Sequence, residues 1–347
     1  MTARAVAVPP GGFRRIAVLR LSSLGDVILA LPVVHALRRA FPEARLQFWT
    51  KQEYREVLEF EPAIHHLRVL ERDARRIEDL VSMSAELEDC DLIVDLHGSA
   101  RTRLLCFRQR APVLRPPSYR LRRTRWVHAR WSRPRPAPHA LERYAAALRP
   151  IGVAATGVPR VEAGADAEAW AAGWLESWAG SQGPVALCPG ARHATKRWPE
   201  SHWVELHRRL RAAGRTVLCL SLAEERRDLP ELARAVEADS GTRWVTETLP
   251  RMAGLLSRCT AAVTCDSGLM HLAAARGARV LALFGSTAPE LGFAPAGEGH
   301  AVLCRHEPCQ PCTLHGRERC PLGHFRCMKE LAPDRVEREA LAPGRSP

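Results

Sequence analysis

The sequence has 347 residues, a hydrophobic content of 46% and a formal net charge of +13. This length fits two α/β domains, and the apolar content is enough for two cores. The first residues lack the apolar segment of a secretory signal, and no run approaches the roughly 18 apolar residues of a membrane span. Eleven cysteines, an odd number, also argue against a secreted disulfide scaffold. We therefore expect a soluble, cytosolic protein.

The chain opens with a Pro- and Gly-rich stretch that we expect to be a loose tail over residues 1–13. Residues 16–20 then form a mostly apolar, β-favouring run, and apolar residues recur at helical spacing from Val27 to Leu37. This pattern predicts a buried strand, a tight turn and an amphipathic helix. Pro32 lies inside the helical pattern, so the helix either kinks there or properly begins there.

The turn between this strand and helix contains Ser22, Ser23, Gly25 and Asp26. In an open α/β sheet such a turn lies at the carboxyl end of a strand, where ligands bind. Glycine lets the backbone approach a ligand closely, and the helix start favours an anion. Asp26 is therefore a candidate general base at the rim of a crevice. The alternative is that it only caps the helix, since Asp is among the best capping residues.

The first half continues as alternating strands and helices. Residues 45–50 and 91–96 predict two further strands, and the polar stretch 72–89 predicts a helix between them. The second of these strands ends in the polar loop 97–99. This loop lies on the same rim as Asp26 if the sheet is parallel.

Residues 101–135 carry most of the net charge. The segment contains twelve arginines and no Asp or Glu, so the remainder of the chain is nearly neutral. Its prolines preclude one long helix, and we expect a loop or lid with short helical pieces. It is either a solvated face or a binding surface for a polyanion such as phosphorylated lipid, a membrane surface or nucleic acid.

Between residues 151 and 183 the composition turns to Ala, Gly and acidic residues, with a short helix expected at 170–178, and we place the domain boundary there. The second half again alternates strands with helices, which predicts another parallel sheet and a crevice between two domains. Its expected strands are 185–190, 216–221, 261–265 and 280–284, and its first helix contains Trp203, Leu206 and Leu210 and is closed by Gly214.

The turns of the second half are rich in groups that bind anions. The sequence Asp266-Ser267-Gly268 opens a helix, whose first amides can face a phosphate. Lys196, one of only three lysines, lies in a turn before another helix and could stabilise a diphosphate leaving group. The second half therefore predicts a nucleotide-diphosphate site. Because the sequence has no G-x-G-x-x-G, Walker A or G-x-S-x-G motif, it does not support an oxidoreductase, a P-loop kinase or an α/β-hydrolase.

The motifs S-S-L-G-D-V, P-G-A…K-R-W-P and D-S-G-L-M-H-L-A-A-A, closing on L-F-G-S-T, resemble the ADP-heptose:lipopolysaccharide heptosyltransferases of glycosyltransferase family 9. The resemblance runs from about residue 14 to about residue 337. It implies an inverting glycosyltransferase of α/β GT-B architecture, with two Rossmann-like parallel-sheet domains facing a crevice. It implies an N-terminal acceptor domain over 14–165, a C-terminal nucleotide-sugar donor domain over 166–337 and a tail over 338–347.

By this resemblance Asp26 is the general base, in a loop with Ser22, Ser23 and Gly25. The implied donor-binding residues are Thr195, Lys196, Asp266, Ser267, Gly268 and His271, with Glu224 or Glu225 on the adenosine ribose. Some family members have a Thr pair before the Lys where this chain has Thr195 alone, so the role of Thr195 stays open. The expected acceptor-binding residues are Arg120, Arg122, Arg123 and Arg125 of the Arg-rich segment.

The resemblance also implies the partners. The donor is ADP-heptose, and the acceptor is an anionic lipopolysaccharide inner core, either Kdo-lipid A or a heptosyl acceptor. The protein then contacts the cytoplasmic face of the inner membrane peripherally, binds no nucleic acid and needs no cofactor and no metal. Two alternatives stay open: the same fold with another nucleotide sugar or a protein acceptor, and a non-catalytic protein that binds anionic lipid or nucleic acid through the Arg-rich segment.

Five cysteines and three histidines crowd into residues 304–327. Cys309-x2-Cys312 followed by Cys320 and Cys327 resembles a structural zinc site, but the spacing is irregular. Reduced packing thiols, zinc ligands and redox-labile disulfides are the three interpretations of this Cys-rich segment. We expect no metal.

Overall fold

The computed structural model of the protein describes residues 5–70, 77–129, 135–179 and 183–342. These residues fall into two compact units, each built on one parallel sheet. The first unit comprises the chain up to Ser118 together with Ala140–Glu162, and the second comprises Tyr119–His139 and the chain from Ala163 onward. The expected fold class, α/β with two parallel-sheet domains, is confirmed.

The strands of the first unit are β1 (Arg15–Leu19), β2 (Arg45–Lys51), β3 (His66–Leu70), β4 (Leu92–Asp95) and β5 (Val113–Leu114). They form one parallel sheet in the order β3-β2-β1-β4-β5. The helices up to residue 145 are α1 (Leu24–Leu29), α2 (Leu31–Ala40), α3 (Ile77–Ala85), α4 (Ala100–Leu105), α5 (Arg120–His128) and α6 (Ala140–Ala145), of which α5 belongs to the second unit. Short 3₁₀ turns follow β2 and α6, at Gln52–Leu58 and Ala146–Ile151.

The order of the first sheet determines where a ligand can bind. The chain runs outward from β1 to β3 and then returns to place β4 on the other side of β1. The gap between β1 and β4 is therefore the switch point, beyond whose carboxyl ends ligands of open α/β sheets bind. The turn containing Asp26 follows β1, and the loop containing His97 follows β4.

The helix expected behind β1 is two helices, α1 and α2. Pro32 occupies the second position of α2, where its missing N–H costs no helical hydrogen bond. The apolar face predicted from spacing is confirmed, since Leu31, Val34 and Leu37 are fully buried. Within the stretch 72–89 the structure shows α3, and residues 72–76 lie outside the described part of the chain.

The strands of the second unit are β6 (Val185–Cys188), β7 (Val217–Leu220), β8 (Thr242–Val245), β9 (Ala261–Cys265), β10 (Arg279–Phe284) and β11 (Ala301–Cys304). They form a parallel sheet in the order β11-β10-β9-β6-β7-β8, so its switch point lies between β6 and β9. The helices from residue 163 onward are α7 (Ala165–Glu176), α8 (Glu200–Ala212), α9 (Ala223–Arg227), α10 (Pro230–Glu237), α11 (Leu249–Leu256), α12 (Gly268–Ala275), α13 (Arg326–Lys329) and α14 (Pro333–Leu341), with 3₁₀ turns at Ala194–Lys196 and Pro289–Leu291. Across the described ranges, no helix is long and apolar enough to cross a membrane.

Two tryptophans anchor the turn that follows β6. Trp198 and Trp203 are almost fully buried, and their rings meet edge to face with centroids 5.1 Å apart. The indole N–H of Trp198 donates to the carbonyl of Leu331 at 2.9 Å. Because the indole N–H is paired, burial of Trp198 gains its apolar contribution without leaving a polar group unsatisfied. The turn containing Lys196 is thereby tied to the C-terminal segment.

The described ends of the chain differ from the expected loose tail over 1–13 and tail over 338–347, of which residues 1–4 and 343–347 lie outside the described part. Val6 donates its N–H to the carbonyl of Pro150 at 2.8 Å, and the buried Phe13 ring packs on Phe41. At the other end, α14 continues past the expected start of a tail at residue 338, because Ala340 is buried. Sequence reasoning missed both because each contact lies far away along the chain.

The Arg-rich segment also differs from the prediction. Its short helical pieces are α4 and α5, as expected, and residues 130–134 lie outside the described part. The sequence placed the whole segment in the first domain, but Tyr119–His139 clusters with the second unit. The Arg123 guanidinium lies 5.7 Å from the ring centroid of Phe293, and the Ala137 N–H donates to the carbonyl of Glu290 at 3.1 Å. These contacts hold the segment to the second unit.

Candidate active site

The turn after β1 holds Asp26 as part of a helix cap. Ser23 is the N-cap of α1, and Asp26 is the third residue of that helix. Oδ2 of Asp26 accepts the backbone N–H of Ser23 at 3.2 Å and the Ser23 hydroxyl at 3.0 Å. Gly25 is buried and Ser22 half-buried in the same turn. Asp26 can cap the helix and still be reached by a ligand, because 15% of its side chain remains exposed.

Two residues that the sequence did not reveal hold the other oxygen of this carboxylate. Arg20, directly after β1, places Nη2 2.7 Å from Oδ1 of Asp26, and the Tyr144 hydroxyl donates to the same oxygen at 2.6 Å. Nη1 of Arg20 donates to the carbonyl of Leu96 at 2.7 Å. Arg20 could have been suspected as a charge that ends an apolar strand. Tyr144 could not, because no motif links α6 to the turn after β1.

Burial alone would raise the pKa of the Asp26 carboxyl, but Arg20, Tyr144 and Ser23 outweigh it and hold this pKa well below its usual range. Asp26 is therefore ionised throughout the neutral range. Burial, together with the neighbouring Asp26 charge, raises the pKa of Tyr144. Tyr144 accordingly stays protonated and keeps donating its hydrogen bond.

The loop after β4 supplies a second group at this switch point. Asp95 is fully buried and accepts the N–H of Gly98 at 2.8 Å and Nε of Arg115 at 2.8 Å. Burial, with the nearby Arg20 charge, lowers the pKa of His97 to about 4. The imidazole is thus neutral at pH 7, and its Nδ1 is buried without a hydrogen-bond partner among the described residues.

At the switch point of the second sheet, Lys196 and Asp266 form an ion pair. Lys196 follows β6 and Asp266 follows β9, and the Lys196 Nζ lies 2.8 Å from Oδ2 of Asp266. The Thr287 hydroxyl donates to the same oxygen at 2.6 Å. The two charged side chains are 15% and 10% exposed. The pair that the sequence placed in separate motifs is therefore one partly accessible cluster.

The start of α12 lies beside this pair. Ser267 is the N-cap, and its hydroxyl oxygen is buried without a hydrogen-bond partner among the described residues. The amides of Gly268 and the next residues belong to the first turn of the helix, where N–H groups have no partner inside the helix. His271 is buried on the same helix. The helix start thus offers donors and a partial positive charge to an anion.

Thr195 is fixed within the protein. It is buried, its hydroxyl lies 2.9 Å from Oγ of Ser286, and it accepts the backbone N–H of Arg317 at 2.8 Å. Its backbone N–H donates to the Arg317 carbonyl at 3.0 Å. These bonds orient the turn in which Lys196 is the next residue.

The structure distinguishes the two acids after β7. Glu225 lines a cavity of about 190 Å³ together with Gly190 and Arg197, whereas Glu224 is exposed and does not line it. Oε2 of Glu225 accepts the N–H of Leu222 at 3.0 Å, and burial raises the pKa of the Glu225 carboxyl. A Cβ added at Gly190 would overlap this carboxylate. Glycine lets this carboxylate lie against the turn after β6, and a larger residue at this position would require the Glu225 side chain to move.

The four arginines expected to bind the acceptor all lie on α5. Arg120 and Arg125 are exposed, and Arg122 and Arg123 are half-buried. The Arg122 guanidinium lies 5.8 Å from the ring centroid of Tyr119. The helix presents its charge on the second unit, the unit that also contains Lys196.

The Cys-rich segment gathers its thiols in one place. The residues Cys309, Cys312, Cys320, Cys327 and His324 line one small cavity, and Sγ of Cys309 lies 3.8 Å from Nε2 of His324. Burial raises the pKa of Cys327 to about 12. All eleven cysteines are free thiols. In the part of the chain that the structure describes, no three His, Cys, Asp or Glu side chains are arranged to hold a metal ion.

Residues 81–322 match the family model of glycosyltransferase family 9 (heptosyltransferase). The chain belongs to this family. It is 30% identical over 333 residues to lipopolysaccharide heptosyltransferase 1 of Pseudomonas aeruginosa, with 86% of each chain covered. It is 34% identical over 129 residues to lipooligosaccharide heptosyltransferase 2 of Haemophilus influenzae, which covers 35% of this chain and 36% of that one. The protein is therefore a glycosyltransferase, as the motifs predicted.

Solved structures show the same architecture. A glycosyl transferase family 9 protein from Veillonella parvula superimposes with a TM-score of 0.76 at 22% identity, covering 94% of this chain and 96% of that one. The ADP-heptose lps heptosyltransferase II of E. coli gives a TM-score of 0.69 at 21% identity, with 94% and 97% covered. At these identities the likeness establishes the fold, which is GT-B.

Proposed function

We propose that this family 9 glycosyltransferase transfers heptose from ADP-heptose to a sugar hydroxyl of an anionic lipopolysaccharide inner-core acceptor, with inversion at the anomeric carbon. The relatives named above support the sugar and the acceptor. The observation that carries the proposal is the ionised Asp26 at the switch point of a parallel sheet, a position at which such sheets bind ligands.

Asp26 acts as the general base. Its carboxylate removes the proton of the attacking hydroxyl, whose oxygen then forms a bond to the anomeric carbon of the heptose. The bond from that carbon to the diphosphate oxygen breaks on the opposite face, and ADP departs with the electron pair. A base must lie within hydrogen-bonding reach of the proton it takes, and Asp26 is accessible enough for this contact.

Lys196 and the start of α12 stabilise the negative charge that grows on the departing diphosphate. The ion pair with Asp266 holds the Lys196 ammonium in place before the nucleotide binds. The Ser267 hydroxyl and the first amides of α12 then donate to the phosphate oxygens. Thr195 acts by orienting the Lys196 turn, and His271 lies one helical turn further along α12. We expect no metal or other cofactor, because these groups already supply positive charge.

Glu225 binds the adenosine ribose. It lines the cavity beside the turn after β6, and a carboxylate accepts hydrogen bonds from vicinal hydroxyls. The exposed Glu224 does not line that cavity. The sequence did not decide which of the two acids binds the ribose, and the position of Glu225 in the cavity favours Glu225 for this role.

The arginines of α5 bind the acid groups of the acceptor. Carboxylates and phosphates pair well with guanidinium groups, and the exposed Arg120 and Arg125 are the most accessible of the four. The same charge would attract the anionic cytoplasmic leaflet of the inner membrane, so the protein contacts it peripherally. A nucleic-acid partner is not needed to explain the charge.

A transfer assay tests this function. Purified protein is incubated with ADP-heptose and with acceptors truncated at Kdo-lipid A or at the first heptose, and UDP- and GDP-sugars replace the donor in parallel reactions. We expect one added heptosyl unit by mass spectrometry only with ADP-heptose, with inverted anomeric configuration by NMR. Preferential transfer from a UDP- or GDP-sugar would contradict the donor, and no transfer to either acceptor would contradict the acceptor class.

A further inference from the structure

We propose that Arg20 and Tyr144 are positioning residues that hold Oδ1 of Asp26 and leave Oδ2 as the atom that takes the proton. This inference rests on the proposed function for the identity of the proton donor, which is the acceptor hydroxyl. The contact itself is a property of the first unit and can be tested without the reaction.

The hydrogen bonds to the two carboxylate oxygens of Asp26 are unequal. Oδ1 receives Arg20 at 2.7 Å and Tyr144 at 2.6 Å, while the one described residue that donates to Oδ2 is Ser23, at 3.0 and 3.2 Å. Two short bonds, one of them from a cation, fill the two lone-pair directions of Oδ1. The Ser23 hydroxyl lies on an exposed residue and can rotate away. An incoming sugar hydroxyl therefore takes the place of the Ser23 hydroxyl at Oδ2.

Arg20 and Tyr144 are themselves fixed. The Arg20 side chain is only 12% exposed, and its second amino group is bound by the carbonyl of Leu96 after β4. Its guanidinium lies 5.2 Å from the ring centroid of Tyr144, which is 3% exposed on α6. Arg20 and Tyr144, which lie far apart in sequence, thus converge on one oxygen of Asp26, and Leu96 of a third segment holds Arg20. Such convergence orients the carboxylate as well as neutralising it, which a catalytic base requires.

The charges around this cluster determine what each substitution does. Asp95 faces Arg20, the neutral His97 lies near both Arg20 and Asp26, and the Arg143 guanidinium lies 5.9 Å from the Tyr144 ring centroid. Arg20 is the main group that opposes the burial of the Asp26 charge. Without it, Tyr144 and Ser23 oppose the effect of burial only in part, so the carboxylate becomes a stronger base that protonates at higher pH. Loss of Tyr144 removes one hydrogen bond and leaves Arg20, so its effect is smaller.

The first test is the pH profile of transfer in four variants. In Arg20→Gln the apparent pKa of the acid limb of the kcat/KM profile should rise by about 1–3 units. Arg20→Lys should restore the low apparent pKa of the acid limb but not the full kcat. An ammonium supplies the charge but lacks the planar set of N–H donors with which a guanidinium can bind two groups at once. Tyr144→Phe should lower kcat about tenfold or more, with the ADP Kd unchanged. Tyr54→Phe, which removes the other phenol of the first unit, is the matched control and should keep the parental profile.

A purely structural role predicts a different result. Each variant would then lose activity by the same factor at every pH, in proportion to its loss of folded protein, and Arg20→Lys would not restore the acid limb. That outcome would overturn the positioning role. It would leave the proposed function standing, because the unsubstituted protein would still transfer heptose.

The second test does not need the reaction. The free energy of unfolding is measured against pH for the parent and for Arg20→Gln, each with and without Asp26→Asn. The difference within each pair reports the titration of Asp26 alone. We expect its midpoint at higher pH in the Arg20→Gln background. An unchanged midpoint overturns the inference whether or not heptose is the sugar transferred.

Discussion

At the scale of single residues, two carboxylates in the protein are buried to different effect. Asp26 has a guanidinium and a phenol on one oxygen, so its pKa falls. Among the described residues, Glu225 accepts a hydrogen bond from the backbone N–H of Leu222 alone, so burial dominates and its pKa rises. The hydrogen-bonding and charged partners, rather than burial alone, decide whether the pKa of such a carboxyl falls or rises.

The neighbouring acids after β7 provide a matched pair for testing nucleotide binding. Glu225→Gln should weaken ADP binding by about tenfold to a hundredfold, the range expected for lost hydrogen bonds to a charged group. Glu224→Gln should leave the affinity unchanged, since Glu224 is exposed outside the cavity. Calorimetric titration with ADP measures both. Equal losses in the two variants would show that net charge, and not the placement of Glu225, matters.

His97 predicts a pH dependence of stability. Its pKa is lowered from 6.5 to about 4 in the folded protein, so the unfolded chain binds a proton more readily between these values. The stability that comes from burying the neutral ring is complete above about pH 6.5 and is lost as the pH falls towards 4. Relative to His97→Gln, the protein should lose up to about 3 kcal/mol of unfolding free energy over that range. Parallel curves for both proteins would contradict the lowered pKa.

At the scale of elements, the sequence predicted local secondary structure but not the contacts between residues that lie far apart along the chain. Strand, turn and helix signals lie within a few residues of one another, and they correctly located the turns containing Asp26 and Lys196. Arg20 and Tyr144 meet across 124 residues of chain, with no periodicity that connects them. The strands β3 and β8 were missed because their alternating or partial exposure lacks the continuous apolar run of a buried parallel strand.

The helix α5 was correctly predicted as a short element, whereas nothing in the sequence indicated that it clusters with the second unit. Its arginines suggested only a polyanion surface, and the contacts with Phe293 and Glu290 that attach its segment to the second unit depend on residues far along the chain. Amino-acid composition shows that α5 is charged, but the unit to which it attaches depends on how its side chains pack.

The role of the exposed arginines of α5 in acceptor binding can be tested by a double substitution that removes both positive charges. Arg120→Gln/Arg125→Gln should raise the acceptor KM several-fold at low salt, and the difference should shrink as salt screens the charge. The nucleotide affinity should not change. Arg338→Gln on α14, another exposed arginine of the same unit, is the control and should behave as the parent. An acceptor KM that is unaffected at every ionic strength would exclude a role for these two residues.

At the scale of the whole molecule, the protein combines a nearly neutral body with one concentrated positive segment. The candidate site residues lie at the switch point of each sheet, the Asp26 carboxylate on the first and the Lys196 ammonium with the start of α12 on the second. The sequence could predict this division because parallel sheets put all strand ends of one kind on one edge.

The most direct test of the central claim is the turnover of Asp26→Asn with ADP-heptose and the truncated acceptor. The amide keeps the shape of the carboxylate but cannot take the proton, so kcat should fall by at least about 10²–10⁴-fold. The ADP Kd should stay within about twofold of the parent value, because the residues proposed to bind the nucleotide lie on the second unit. A variant that keeps turnover within about tenfold of the parent, with unchanged ADP binding, would contradict Asp26 as the base.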